Sequence, residues 1–136
     1  MTFSEHEGVV EDVSWHKQDV NIFGSVGDDW KLKLWDQRQT KSVYSVDAHT
    51  EEILCLDFSP FNSNLVLTGS VDKVVSLWDW RNLKTSLHQF KHHSEEITCV
   101  KFNPHHENLF ASGSSDWRII IWDVAWIGME ISDEDK

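Results

Sequence analysis

His6, Ser25 and Asp29 carry the three groups of an activated nucleophile: an imidazole base, a hydroxyl, and a carboxylate to orient the base. The same types return as His49, Thr68 and Asp72, and again as His93, Ser112 and Asp116. A tryptophan follows each aspartate by six residues, at Trp35, Trp78 and Trp122, and an aspartate follows each of these tryptophans. Histidines and tryptophans alike recur at spacings of 43 and then 44 residues. Two chemistries compete for this pattern. One is a hydrolase that attacks through a serine hydroxyl. The other is a buried chain in which indole N–H, hydroxyl, imidazole and carboxylate satisfy one another. A hydrolase needs one site rather than three, Thr68 replaces serine in the second set, and there is no Gly-x-Ser-x-Gly elbow. The sets are therefore read as structural, with a hydrolase kept as the remote alternative.

The elements that must hold these residues repeat with them. Ile53–Phe58 (ILCLDF) matches Ile97–Phe102 (ITCVKF), and Val10–Trp15 (VEDVSW) is the first copy. Each copy predicts a first strand (Val9–Trp15, Ile53–Phe58, Ile97–Phe102) and a second (Ile22–Ser25, Leu65–Gly69, Leu109–Gly113). A third ends on the Trp-Asp pair (Lys31–Asp36, Val74–Asp79, Ile119–Asp123), and Val43–Val46 and Leu87–Phe90 read as outer strands. The segments are short, rich in β-branched and aromatic residues, and bounded by Gly, Asn, Asp and Ser. A period near 40–45 with a Trp-Asp dipeptide predicts an all-β chain of four-stranded antiparallel β-propeller blades, here three WD repeats. The repeats divide the chain at about 1–43, 44–87 and 88–128, leaving an acidic tail at 129–136. Trp15 takes the slot of Phe58 and Phe102 and is expected in the core. Trp80 and Trp126 are expected to cover a seam at the lower face.

A net charge of −11 over 136 residues argues against nucleic acid and suits basic partners, or simply an acidic soluble domain. Cys55 and Cys99 stand 44 residues apart with no paired motif, so both are expected as small buried hydrophobes in a reducing compartment. No apolar run is long enough to span a membrane, and the N-terminal residues do not form a signal peptide. His88, His92, His105 and His106 lack ligand spacing, so neither metal nor cofactor is expected. The Ser132–Asp135 run could accept a phosphate.

Beyond WD repeats in general, His6–His16 (HEGVVEDVSWH), Phe23–Asp29 (FGSVGDD), Ser45–Thr50 (SVDAHT) and Leu77–Lys84 (LWDWRNLK) resemble a known family. It is that of the retinoblastoma-associated histone-binding proteins, small WD-repeat subunits of chromatin assembly factor and of histone deacetylase and Polycomb complexes. The likeness runs from about Thr2 to Gly128 and covers three of that family's seven blades. The N-terminal helix and insert-bearing blade that grip histone H4 in the family lie outside the matched segment. The resemblance implies a nuclear, also cytoplasmic, scaffold that binds histone H3 tails and similar basic peptides on its upper face. It carries that role onto Glu11, onto Glu52 and Leu54, and onto Glu96 and Thr98. Each glutamate could equally be an ordinary solvated charge. Trp30 and Trp117, each following a repeated aspartate, could stack on arginine or pack against a neighbouring blade. A generic WD adaptor with no histone role is the alternative.

Three blades do not close a ring. Thr2-Phe3 sits where the outer strand of a preceding blade would lie, and Trp126–Ile131 is the candidate fourth strand of the last. One expectation is a homodimer that completes a six-blade ring. The other is a segment that folds only with the rest of its propeller.

Overall fold

A computed structural model describes residues 1–124 of the chain. Blade 1 is one antiparallel sheet of β1 (Val10–Trp15), β2 (Ile22–Gly27), β3 (Lys31–Asp36) and β4 (Ser42–Asp47), in that spatial order. Blade 2 repeats the order with β5 (Ile53–Phe58), β6 (Leu65–Ser70), β7 (Val75–Asp79) and β8 (His88–Phe90). Blade 3 has β9 (Ile97–Phe102), β10 (Leu109–Ser114) and β11 (Ile119–Asp123), three strands among the described residues. The expected fourth strand at Trp126–Ile131, the seam role of Trp126 and the Ser132–Asp135 run lie outside those residues.

Every internal seam joins the trailing face of one blade to the leading face of the next. Val26, Leu32 and Leu34 of blade 1 are buried against Ile53, Leu56, Phe58, Val66 and Trp78 of blade 2. Cys55, Leu67, Val75, Leu77 and Phe90 of blade 2 meet Val100, Phe102, Phe110, Ile120 and Trp122 of blade 3. Burying each large apolar side chain stabilises by about 1.5–3 kcal/mol. At Gly69 the sheets approach closely enough to favour glycine: a Cβ there would stand 2.6 Å from Ile97 Cγ2 and 2.7 Å from Cys55 Sγ. Carboxylates add directional ties. Leu56 N donates to Asp12 Oδ2 at 3.1 Å, and Phe102 N to Asp57 Oδ2 at 2.8 Å. Lys17 Nζ lies 3.3 Å from the other oxygen of the buried Asp57, so residues of all three blades meet there.

The first loop of each blade is capped by the residue just after the first strand. His16 Nδ1 accepts from Gln18 N and Asp19 N, Ser59 Oγ from Phe61 N and Asn62 N, and Asn103 Oδ1 from His105 N and His106 N. His16 also reaches the next blade, donating from Nε2 to the Ser63 carbonyl at 2.6 Å. Trp80 donates to the same carbonyl and lies against His16 and Tyr44, covering the seam as expected.

Two expectations fail for one reason. Trp15 is 53% exposed, although Phe58 and Phe102 in its slot are buried. Cys99 is exposed, whereas Cys55 is buried. Burial at both slots depends on a neighbouring blade rather than on the blade itself. Trp15 lies on the leading face of blade 1 and Cys99 on the trailing face of blade 3. The segment ahead of blade 1 does follow the repeat. Phe3 packs at 5.1 Å on Phe23 and 5.3 Å on Trp35, as Phe90 packs at 5.1 Å on Phe110 and 4.8 Å on Trp122.

Candidate functional site

The repeated polar sets converge with the same geometry in each blade. His Nδ1 lies 2.8, 2.9 and 2.8 Å from the carboxylates of Asp29, Asp72 and Asp116. Nε2 lies 2.6, 2.7 and 2.7 Å from the hydroxyls of Ser25, Thr68 and Ser112. Indole Nε1 of Trp35, Trp78 and Trp122 donates to those hydroxyls at 2.8, 2.9 and 2.8 Å. Indole N–H can only donate. The hydroxyl therefore gives its own proton to Nε2, and Nδ1–H of His6, His49 and His93 donates to the aspartate. Each aspartate also accepts a backbone N–H from the residue after the histidine: Glu7, Thr50 and Ser94. Burial pushes Asp29, Asp72 and Asp116 upward, but hydrogen bonds from histidine and backbone outweigh it and hold all three below the usual carboxylate range. All three hydroxyl residues are buried with an indole N–H on the oxygen, so no substrate carbonyl reaches them. The arrangement is a strut that binds the entry loop to the second and third strands.

The histidine–aspartate end of each strut marks the upper face, which the β2–β3, β6–β7 and β10–β11 turns share. Glu11, Leu54 and Thr98 sit where the pairing register shifts in the first strand of each blade. A bulge at the same slot three times re-aims one side chain per blade. Just before the strands, Glu52 and Glu96 accept through their carbonyls from Val71 N and Ser115 N, tying the strand entry to the turn. Asp28 N makes the same bond to the Val9 carbonyl.

This brings Glu11, Asp28 and Glu52 together where blades 1 and 2 meet. A hydrogen bond to Asp28 raises the Glu11 carboxyl above its ordinary value, with burial and the charges of Asp28 and Glu52 adding to the shift. Asp28 Oδ1 is buried with no hydrogen-bond partner among the described residues. Asp28 was missed in the sequence. Its signal was a carboxylate one residue before the repeated Asp29, where the other copies have Val71 and Ser115. Glu96 is not part of that cluster; its carboxylate accepts from Ser115 Oγ at 3.1 Å. Thr98 donates to the Gly113 carbonyl, and Leu54 is half-buried. Trp30 and Trp117 are exposed, Trp117 at 97%.

The chain matches the family model described as WD domain, G-beta repeat, over residues 1–36, 40–79 and 84–123. It belongs to the WD-repeat family. Its three blades are therefore WD repeats, each with one polar strut and one upper-face bulge. WD domains mediate protein–protein interactions, as a rule without catalysis. Among the described residues of this WD array, no group of three His, Cys, Asp or Glu side chains gathers to hold a metal. No described helix is long and apolar enough to cross a membrane.

Proposed function

We propose that this WD array holds Lys/Arg-rich peptides of the histone-tail class on its upper face, as a non-catalytic scaffold in nuclear chromatin assembly or histone-modifying complexes. The observation that carries the proposal is the Glu11–Asp28–Glu52 cluster where blades 1 and 2 meet. Three carboxylates share that place, and the Glu11 carboxyl is raised first by a hydrogen bond to Asp28, then by burial and by the nearby charges of Asp28 and Glu52. An ammonium or guanidinium group would relieve the repulsion and form charge-assisted hydrogen bonds, an arginine gripping two oxygens at once. The exposed indole of Trp30, two residues after Asp28, offers a face for the same cation. The net charge of −11 steers basic peptides toward the surface. The likeness to the histone-binding WD subunits supports the same class of partner.

The test is titration of the chain with an N-terminal histone H3 peptide. Binding is expected to weaken with added salt and with falling pH as Glu11 gains a proton. Replacing Glu11, Glu52 and Glu96 together by lysine should abolish it, and Glu11→Lys alone should remove most of it. Unchanged peptide affinity in the triple variant would exclude this face, leaving a WD adaptor for some other class of protein.

A further inference from the structure

We propose that the lower-face cleft between blades 1 and 2 holds an arginine side chain of a partner protein, its guanidinium stacked on the Trp80 indole and paired with the Asp19 carboxylate. The cleft has a volume of about 460 Å³, with His16, Gln18, Asp19 and Val20 of the β1–β2 loop on one wall and Ser63 and Trp80 of blade 2 on the other. It lies at an internal seam, with both of its blades in place. Two bonds fix the walls against each other: His16 Nε2 donates to the Ser63 carbonyl, and Gln18 Nε2 donates to the Pro60 carbonyl.

Two side chains in this cleft exceed what the repeat requires. Asp19 Oδ1 accepts from Asn21 N at 2.9 Å, and Asn62 in the same slot of blade 2 accepts from Asn64 N at 3.0 Å. A neutral amide thus closes the turn equally well, and the charge of Asp19 is surplus to it. Trp80 Nε1 donates to the Ser63 carbonyl, as Gln37 Nε2 in the same slot of blade 1 donates to the Val20 carbonyl. An amide makes that bond too, so the bond does not call for an aromatic ring. Blade 3 has His106 and Val124 in these two slots. The carboxylate and the indole therefore meet at one seam and not at the next.

Their chemistry selects the ligand. Asp19 is held in place by its own N–H, which donates to His16 Nδ1, and by its carbonyl, which accepts from Ile22 N. Its Oδ2 accepts no hydrogen bond among the described residues. Arg38 is near enough for its charge to interact with Asp19, but its guanidinium is already held by Asp36 through two N–H bonds. A fixed carboxylate opposite an indole suits a cation that is flat and can present two N–H groups, which is a guanidinium rather than an ammonium. Val20, 77% exposed beside Asp19, offers an apolar surface to the aliphatic stem of the same side chain.

Nuclear magnetic resonance of the 136-residue chain, titrated with a blocked glycine pentapeptide carrying one central arginine, tests the site. The Trp80 indole N–H and Asp19 amide signals should shift and saturate. The same peptide with lysine should bind more weakly, and with uncharged citrulline more weakly still. Asp19→Asn keeps the turn, as Asn62 does in blade 2, so it should leave the melting temperature unchanged. It should weaken the arginine peptide by about three- to tenfold. Trp80→Gln keeps the bond to Ser63, as Gln37 keeps its own, and should remove the preference for arginine over lysine. Glu11→Lys, on the upper face, should leave the Trp80 and Asp19 shifts as in the parent, which separates this site from the one above. Unmoved Trp80 and Asp19 signals would overturn the proposal, as would parent affinity in Asp19→Asn or equal binding of the citrulline peptide. A lysine peptide that binds the parent as tightly would overturn the assignment to arginine.

Discussion

At the scale of single residues, the strut explains why the middle set tolerates threonine. The oxygen must accept from Trp78 Nε1 and donate to His49 Nε2, and both hydroxyl residues do that. The aspartate carries more, since Asp72 accepts from His49, Thr50 N and Val74 N. Asp72→Ala strands those donors at a site with little water and should cost about 1–3 kcal/mol. Asp29, Asp72 and Asp116 are held below their ordinary values, so their ionised forms bind the fold more tightly than the chain does when unfolded. The stability they contribute is complete above about pH 4, the ordinary carboxylate range, and is lost as pH falls through the lower folded values. Urea midpoints at neutral and acid pH should show Asp72→Ala well below the parent at pH 7, with the gap narrowing in acid. A gap that stays constant would mean that the carboxylate charge has no part in the strut.

Turns and bulges carry the next level. Trp30, Lys73 and Trp117 occupy one slot in the three upper-face hairpins, with φ of 68°, 73° and 71°. A left-handed backbone costs an L-residue about 1–2 kcal/mol, and the unfolded-chain entropy of a glycine there offsets part of the relief. Since Trp117 is 97% exposed, Trp117→Gly loses no packing and should stabilise the chain by up to about 1 kcal/mol. Thermal melting with and without a basic peptide checks this. A higher melting temperature alone, with weaker peptide binding, matches a strained side chain kept for contact. A lower melting temperature would show that the indole supports the fold. The lower-face turns follow a different rule, in which Asp36 and Asp79 each hold the arginine two residues on, Arg38 and Arg81, by paired hydrogen bonds.

For the molecule as a whole, stability is the sum of blades and seams, because each blade touches only its neighbours. Asp57 is the residue most exposed to that logic, since it ties blade 2 to Phe102 N of blade 3 and to Lys17 of blade 1. Asp57→Ala leaves a buried amide without its acceptor and should cost about 1–3 kcal/mol. The larger loss should fall on the seam between blades 2 and 3, because the partly exposed Lys17 regains water on the other side. In hydrogen exchange, Phe102 and its neighbours in β9–β11 should lose protection ahead of blade 1. Uniform loss over all three blades would show that the array unfolds as one unit, without separable seams.

Much of the architecture was legible because it is periodic. Three copies of histidine, hydroxyl, aspartate and tryptophan imply one strut repeated, and alternating apolar strands around it imply four-stranded blades, since both patterns depend on contacts within one repeat. His16 was harder to read: it stands where the other copies have Ser59 and Asn103, and only the hydrogen-bonding of the loop shows that all three are caps. Asp28 was hidden because its neighbours Glu11 and Glu52 are far along the chain and meet only when the strand bulge and the turn are folded. The clearest division is at Trp15 and Cys99. Residue type and repeat slot place both in a core, and within a closed seam that reading holds for Phe58, Phe102 and Cys55. The tertiary structure exposes them because burial at a blade face is a property of two sheets, and a sequence slot specifies only one.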